Sequence, residues 1–166
     1  MRARPATPKM INGRATLDLD IHVPSLLNWI ANKLGRGASA EFRENFGIGI
    51  TEWRIIALLA IEPRITAHRI VEVIGVDKGP VSRCVKNMQA KGLVQLEPNE
   101  TDRRSQLLSL TCTGEGLHDK VLPAALERER HFLSVLSEVE IHQLVDMLNR
   151  LHNILPEVNQ RGEADS

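Results

Sequence analysis

A mainly α-helical chain with one small β-hairpin is predicted by three observations. Apolar residues recur at helical spacing along most of the 166 residues. Aromatic residues make up only 3% of the chain, so the core falls to Leu, Ile, Val and Ala, which suits packed helices better than a sandwich built on aromatic pairs. A β-leaning pattern occurs once, in the neighbouring runs LVQLEP and SQLLSLT.

Taken in order, residues 1–17 hold Pro, Gly, Thr and Arg without periodicity and read as a flexible arm. Residues 18–50 form an N-terminal helix region with Val23, Leu26, Leu27, Ile30 and Leu34 at helical spacing. Gly35 and Gly37 interrupt it, predicting a kink or break before AEFRENF resumes. Thr51 is the N-cap candidate for TEWRIIALLAIEP, whose Trp53, Ile56, Leu59 and Ile61 read as buried and which Pro63 closes. Thr66 caps AHRIVEVIG, with Ile70, Val71 and Ile74 on one face and Gly75 at its end. Asp77 then serves as N-cap of a helix running to about Lys91, with Gly92 as a left-handed stop. Gly79 and Pro80 fall in its first turn, where a missing N–H costs little.

The two short runs make a hairpin whose tip carries Asp102, Arg103 and Arg104. Residues 115–156 return to helix, and Ser137 with Glu140 forms a capping box ahead of IHQLVDMLNRLHNIL. Residues 157–166 are polar and read as a frayed tail. Two short helices joined around Gly75-Val76 and followed by a two-stranded ribbon make residues 51–114 a winged helix-turn-helix pattern.

Several function classes drop out. No apolar run approaches a membrane span of roughly 20 residues, and the N-terminus lacks the apolar core of a signal peptide, so the expected location is cytoplasmic. Cys84 and Cys112 are too few for a disulfide framework and lack metal-ligand spacing. The six histidines contain no HxxxH or HExxH pair. No nucleophile, base or metal constellation points to an enzyme, and no cofactor is expected. The net charge of zero is unevenly spread: residues 64–114 carry eight Lys and Arg against five Asp and Glu, while residues 115–166 carry five against ten. A basic middle beside an acidic end fits a nucleic-acid surface, and equally an ordinary solvated one.

On a helix from Lys78 to Lys91, Val81, Cys84, Val85 and Met88 share one face. Lys78, Ser82, Arg83, Lys86, Asn87 and Gln89 fall mostly on the other. Such a face fits the DNA major groove, with Arg and Lys reaching guanine edges or phosphates and small Gly79 and compact Pro80 allowing close approach. The bland alternative is an exposed amphipathic helix. Arg103 and Arg104 suit insertion into a minor groove or along a backbone, with Asp102 holding an arginine in position; the alternative is a surface turn with a local ion pair. The apolar stripe from Leu117 to Leu155 exceeds what a winged core covers, which favours burial against a partner over packing on the N-terminal helix.

From Thr51 to Gly116 the chain resembles the winged-helix core of the multiple-antibiotic-resistance regulator (MarR) family of bacterial transcription factors. The matching stretches are TEWRIIALLA, ITAHRIVEVIGVDKGPVSRCVKNMQAKGLV, the wing NETDRRSQLLSLT, and TCTGEG opening the next helix. The resemblance implies a homodimer built through residues 18–50 and 115–156, binding a palindromic double-stranded DNA operator, most often as a repressor released by a small ligand such as an aromatic acid or acyl-CoA. It places Lys78, Gly79, Pro80, Ser82, Arg83 and Lys86 at the major groove and the wing arginine in the minor groove. Gly79-Pro80 departs from the Ser-Thr often found there, which shifts base readout toward Ser82 and Arg83. The ligand pocket of such proteins points to His22, Asn28, Trp29, Trp53 and Arg54. Alternatives are a redox-responsive regulator through Cys84, a metal sensor using His118, His131 or His142, and a winged-helix protein-interaction module. Arg2, Arg4 and Lys9 in the arm are open to contact with DNA or ligand.

Overall fold

The computed structural model describes residues 8–102 and 104–163, the last three by backbone alone. The elements in order are β1 (Lys9–Ile11), β2 (Arg14–Thr16), α1 (Val23–Phe46), α2 (Ile50–Ile61), β3 (Ile65–Thr66), α3 (Ala67–Ile74), α4 (Lys78–Ala90), β4 (Val94–Pro98), β5 (Gln106–Leu110), α5 (Cys112–Leu133) and α6 (Glu138–Glu163). The mainly helical fold with a small hairpin wing is as the sequence predicts. No helix among the described residues is long and apolar enough to cross a membrane.

The arm departs from expectation. From Lys9 onward it is a hairpin, with Met10 opposite Ala15 and a turn at Asn12-Gly13 whose φ angles are 50° and 76°. Those paired left-handed residues are what a two-residue turn between twisted strands requires. Residues 1–7, including Arg2 and Arg4, lie outside the described residues.

α1 is a single helix through Gly35 and Gly37, and Ala38, Ser39 and Phe42 in its second half are buried. Gly47, at φ 70°, ends it in the left-handed conformation. α2 begins two residues earlier than expected, with Gly49 rather than Thr51 at the N-cap position. The cap is not Thr51 but Glu52, whose Oε2 accepts the Gly49 N–H at 2.7 Å. Ile55, Ile56, Leu58 and Leu59 are buried, whereas Ile61, expected inside, is 79% exposed. Its place at the last position of α2 turns it away from the core.

The chain forms two compact units, dividing after Val121. The first contains the core: Phe42, Ile48, Ile55, Ile56, Leu59, Ile70, Val81, Met88, Leu108 and Val121 are all under 2% exposed. Its sheet has the order β3-β5-β4, all antiparallel. The two-residue β3 pairs Ile65 with Leu108 and Thr66 with Leu107, fastening the wing's inner strand to the start of α3. Arg64, at φ 64°, adds an ion pair to Glu97 on β4 at 2.7 Å.

In the second unit, none of the described residues is buried. The Ser137–Glu140 box forms as expected: Glu140 Oε2 accepts from Ser137 N at 2.8 Å and from its hydroxyl at 2.7 Å. These bonds hold the Glu140 carboxyl below its usual value. Along α6, Val145, Leu148, Leu151 and Leu155 stay exposed. The helix continues past Leu155 to Glu163, with Pro156 inside it, where a frayed tail was expected.

Candidate nucleic-acid interface

α3 and α4 are placed by their ends. Thr66 Oγ1 accepts the Arg69 N–H at 3.2 Å, as expected of a cap. Gly75, at φ 63°, ends α3 with its N–H on Val71 O. Asp77 holds the N-cap position of α4 in extended conformation, but its carboxylate makes no capping bond. The first turn therefore opens with Lys78, Gly79 and Pro80, all exposed. Gly92, at φ 69°, closes the helix as predicted.

Val81, Val85 and Met88 bury the inner face of α4, and Cys84 is half-buried beside them, its sulfur 3.9 Å from that of Met88. Burial pushes the Cys84 thiol up to about 11, with the nearby Glu52 charge adding to the effect. On the outer face Ser82, Arg83 and Lys86 are exposed. Arg83 folds back along its own helix, so that its Nη1 lies 3.8 Å from where a Cβ would stand on Gly79.

Asn87, also exposed, is tied to α2. Its amide donates to Glu52 Oε1 at 3.0 Å, and Lys91 Nζ reaches the same oxygen at 2.8 Å and Gly47 O at 3.1 Å. The Glu52 side chain is only 12% exposed, so one carboxylate caps α2 and grips the C-terminal end of α4. Sequence reading misses this hub, although a Glu three residues after Gly49 is its visible signal.

At the wing tip, Asp102 Oδ1 accepts the Arg104 N–H at 3.0 Å, so it fixes the backbone of a wing arginine. Asn99 braces the turn from the other strand, donating to Ser105 Oγ at 2.9 Å and accepting from Thr101 N and Oγ1. Arg104 is exposed. Arg103 lies outside the described residues.

A sorting of cations follows. Arg64 pairs with Glu97, Arg69 with Glu62 and Glu72, and Lys91 with Glu52. The guanidinium of Arg69 holds the Glu62 carboxyl below its usual value. Lys78, Arg83, Lys86 and Arg104 have no carboxylate partner among the described residues. Among the described cations of residues 64–104, those without a carboxylate partner thus fall on the exposed face of α4 and on the wing tip.

Comparison with known proteins gives this arrangement a lineage. The MarR family profile matches residues 46–105. A solved MarR/EmrR family transcriptional regulator from Acinetobacter sp. ADP1 is 33% identical, covers 85% of this chain and 99% of its own, and superposes with a TM-score of 0.79. The chain belongs to the MarR family. The transcriptional regulator PecS of Dickeya dadantii is 27% identical over 154 residues, 90% of this chain and 91% of its own. A MarR mutant from E. coli, solved in complex with operator DNA, has the same fold at 21% identity and a TM-score of 0.69, over 80% of this chain and 94% of its own. This MarR-family chain is therefore a winged-helix transcriptional regulator and not an enzyme.

Of the five residues expected at a ligand pocket, Arg54 lines a groove in the structure. A groove of about 460 Å³ runs between α1 and α2, lined by Ala31, Asn32, Gly35, Arg36, Ser39, Ala40, Arg43, Ile50 and Arg54. Trp53 packs inward, edge-on to Phe42 at 6.0 Å and stacked on His118 at 5.7 Å. His22 Nδ1 lies 2.7 Å from Ser25 Oγ, Asn28 accepts from Asn32 Nδ2 at 3.2 Å, and Trp29 is exposed. No group of three metal-ligating side chains converges among the described residues; His142 Nδ1 is 2.8 Å from Glu138 O.

Proposed function

We propose that this regulator binds a palindromic double-stranded DNA operator as a homodimer, represses from it, and is released by a small effector. α4 reads the major groove with Lys78, Gly79, Pro80, Ser82, Arg83 and Lys86, and the wing enters the minor groove with Arg104 and Arg103. The observation that carries this reading is the cluster of exposed cations without carboxylate partners on α4 and the wing tip, while Arg64, Arg69 and Lys91 of the same lobe are paired. Cations clustered in this way neutralise phosphates and release the counterions condensed along the duplex. The E. coli MarR–operator complex supports the same docking by shared fold.

Residues 18–50 and 115–156 serve as dimerisation regions. Their support is the apolar surface left open on both, from Leu27, Ile30 and Leu34 on α1 to Leu148, Leu151 and Leu155 on α6. Two-fold symmetry then sets the two α4 helices about one DNA turn apart. The half-buried, high-pKa thiol of Cys84 speaks against a redox-responsive regulator, because the thiolate is the reactive form.

The reading is tested by fluorescence anisotropy against a labelled duplex from upstream of the gene, with a scrambled duplex beside it at two salt concentrations. Selective binding that weakens steeply with salt is expected. Equal, weak binding to both duplexes, repeated across genomic fragments, refutes it and returns the wing to protein recognition.

A further inference from the structure

The groove between α1 and the first turn of α2 collects charge without a counter-charge. Arg36 and Arg43 come from α1 and Arg54 from α2, and none of the three has a carboxylate partner among the described residues. Two of them span the gap. Arg54 Nη2 lies 3.8 Å from where a Cβ would stand on Gly35 of α1, and Arg43 Nη2 lies 3.4 Å from the corresponding point on Gly49 before α2. Ser39, 8% exposed, floors the groove; its Oγ accepts the Ile50 N–H at 3.4 Å, which leaves its own proton to donate. Ala31, Gly35 and Ala40 keep the space open, and the lining holds no aromatic ring.

These features select among ligands. A flat aromatic acid would find no stacking surface here and would offer one negative charge to three guanidinium groups. A phosphate ester or pyrophosphate offers two or more charges and oxygens spaced for bidentate arginine contacts. We propose that this groove binds a small phosphate-bearing anion. The site deepens the effector-responsive reading, on which its link to DNA rests; the binding itself does not depend on that reading.

The link is structural. Gly49 and Ile50, at the groove, are held by Glu52 and Ser39, and the same Glu52 carboxylate grips Asn87 and Lys91 of α4. An anion that draws Arg43 and Arg54 together shifts the α2 start and, through Glu52, the end of the DNA-reading helix.

Isothermal titration calorimetry of the full chain with sodium pyrophosphate, and separately with benzoate, at matched ionic strength tests the site. Pyrophosphate is expected to saturate one site and to bind at least tenfold more tightly than benzoate. Arg36→Gln, Arg43→Gln and Arg54→Gln should each weaken it about tenfold or more, while the exposed control Arg14→Gln leaves it unchanged. Circular dichroism checks folding, and Arg54→Lys, which keeps the charge but not the planar fork, should fall between. No saturable binding, tighter binding of benzoate, or undiminished binding in the arginine variants overturns the proposal. Variants that keep pyrophosphate binding but lose DNA affinity assign these arginines to the DNA backbone, which also overturns it. In the anisotropy assay pyrophosphate should raise the Kd of the parent protein and not that of Arg54→Gln. Calorimetric binding with unchanged DNA affinity would refute the link through Glu52.

Discussion

Replacing Gly114 with alanine places a methyl carbon 2.1 Å from the carbonyl oxygen of Leu93. Ordinary carbon–oxygen contacts begin near 3.3 Å, so the start of α5 must retreat by about 1.2 Å. The obstacle is backbone and cannot rotate aside. That retreat strains three bonds that dock α5: Thr111 Oγ1 on Gly92 O at 2.6 Å, Thr111 N on Leu93 O at 3.1 Å, and Gly114 N on Thr111 Oγ1 at 3.1 Å. Overpacking costs about 1–3 kcal/mol, and each weakened bond adds up to ~1 kcal/mol, so the expected loss is about 3 kcal/mol. Gly116 is the internal control: two residues on in the same helix, its added Cβ would meet nothing within 4 Å. Gly116→Ala should be neutral, or stabilising by about 0.5–1 kcal/mol through lower unfolded-state entropy. Urea unfolding of both variants at one protein concentration separates them. A Gly114→Ala midpoint equal to that of the parent, or an equal fall at Gly116, would refute the contact argument.

Other outcomes follow from the same geometry. Arg83→Ala and Arg104→Ala should each weaken operator binding by about 1–3 kcal/mol and flatten the salt dependence by about one ion, with thermal stability unchanged. Glu52→Ala removes the α2 cap and strands Lys91 and Asn87, so urea unfolding should show a loss of about 2 kcal/mol. With Ellman's reagent near pH 8, exposed Cys112 should react at once and half-buried Cys84 only on unfolding; equal rates would contradict its high pKa. Because Arg69 lowers the folded-state pKa of Glu62, the pair contributes above about pH 4.5 and its contribution fades as pH falls through the lowered value. The stability gap between parent and Glu62→Gln should therefore narrow on acidification.

What could be read from the chain beforehand was whatever repeats locally. The inner face of α4 follows from the spacing of Val81, Val85 and Met88, and the ends of α3 and α4 from Thr66, Gly75 and Gly92. The hairpin at Lys9–Thr16 was missed, although Asn12-Gly13 is a turn signal, because strands of three residues show little alternation. The two-residue β3 is below any periodicity. The engagement of exposed Asn87 was not legible because its partner Glu52 lies 35 positions away. The helix past residue 156 escaped because residues 157–166 are polar and carry no apolar period, although the helix continues through Pro156 to Glu163. The arginine groove depends on Arg36, Arg43 and Arg54 converging from two elements, which no single window of sequence displays.

The Arg83 guanidinium resting over Gly79 makes those two positions one heritable character. An alanine at 79 would sit in ordinary contact with it, but a branched or long side chain would evict the arginine from the first turn and re-aim it. On the proposed docking, exchange at position 79 would re-aim Arg83 within the groove without itself touching a base, and the effect of each substitution depends on its companion. A lineage drifting toward a new operator has an easy first step here, open in one order of substitutions and closed in the other.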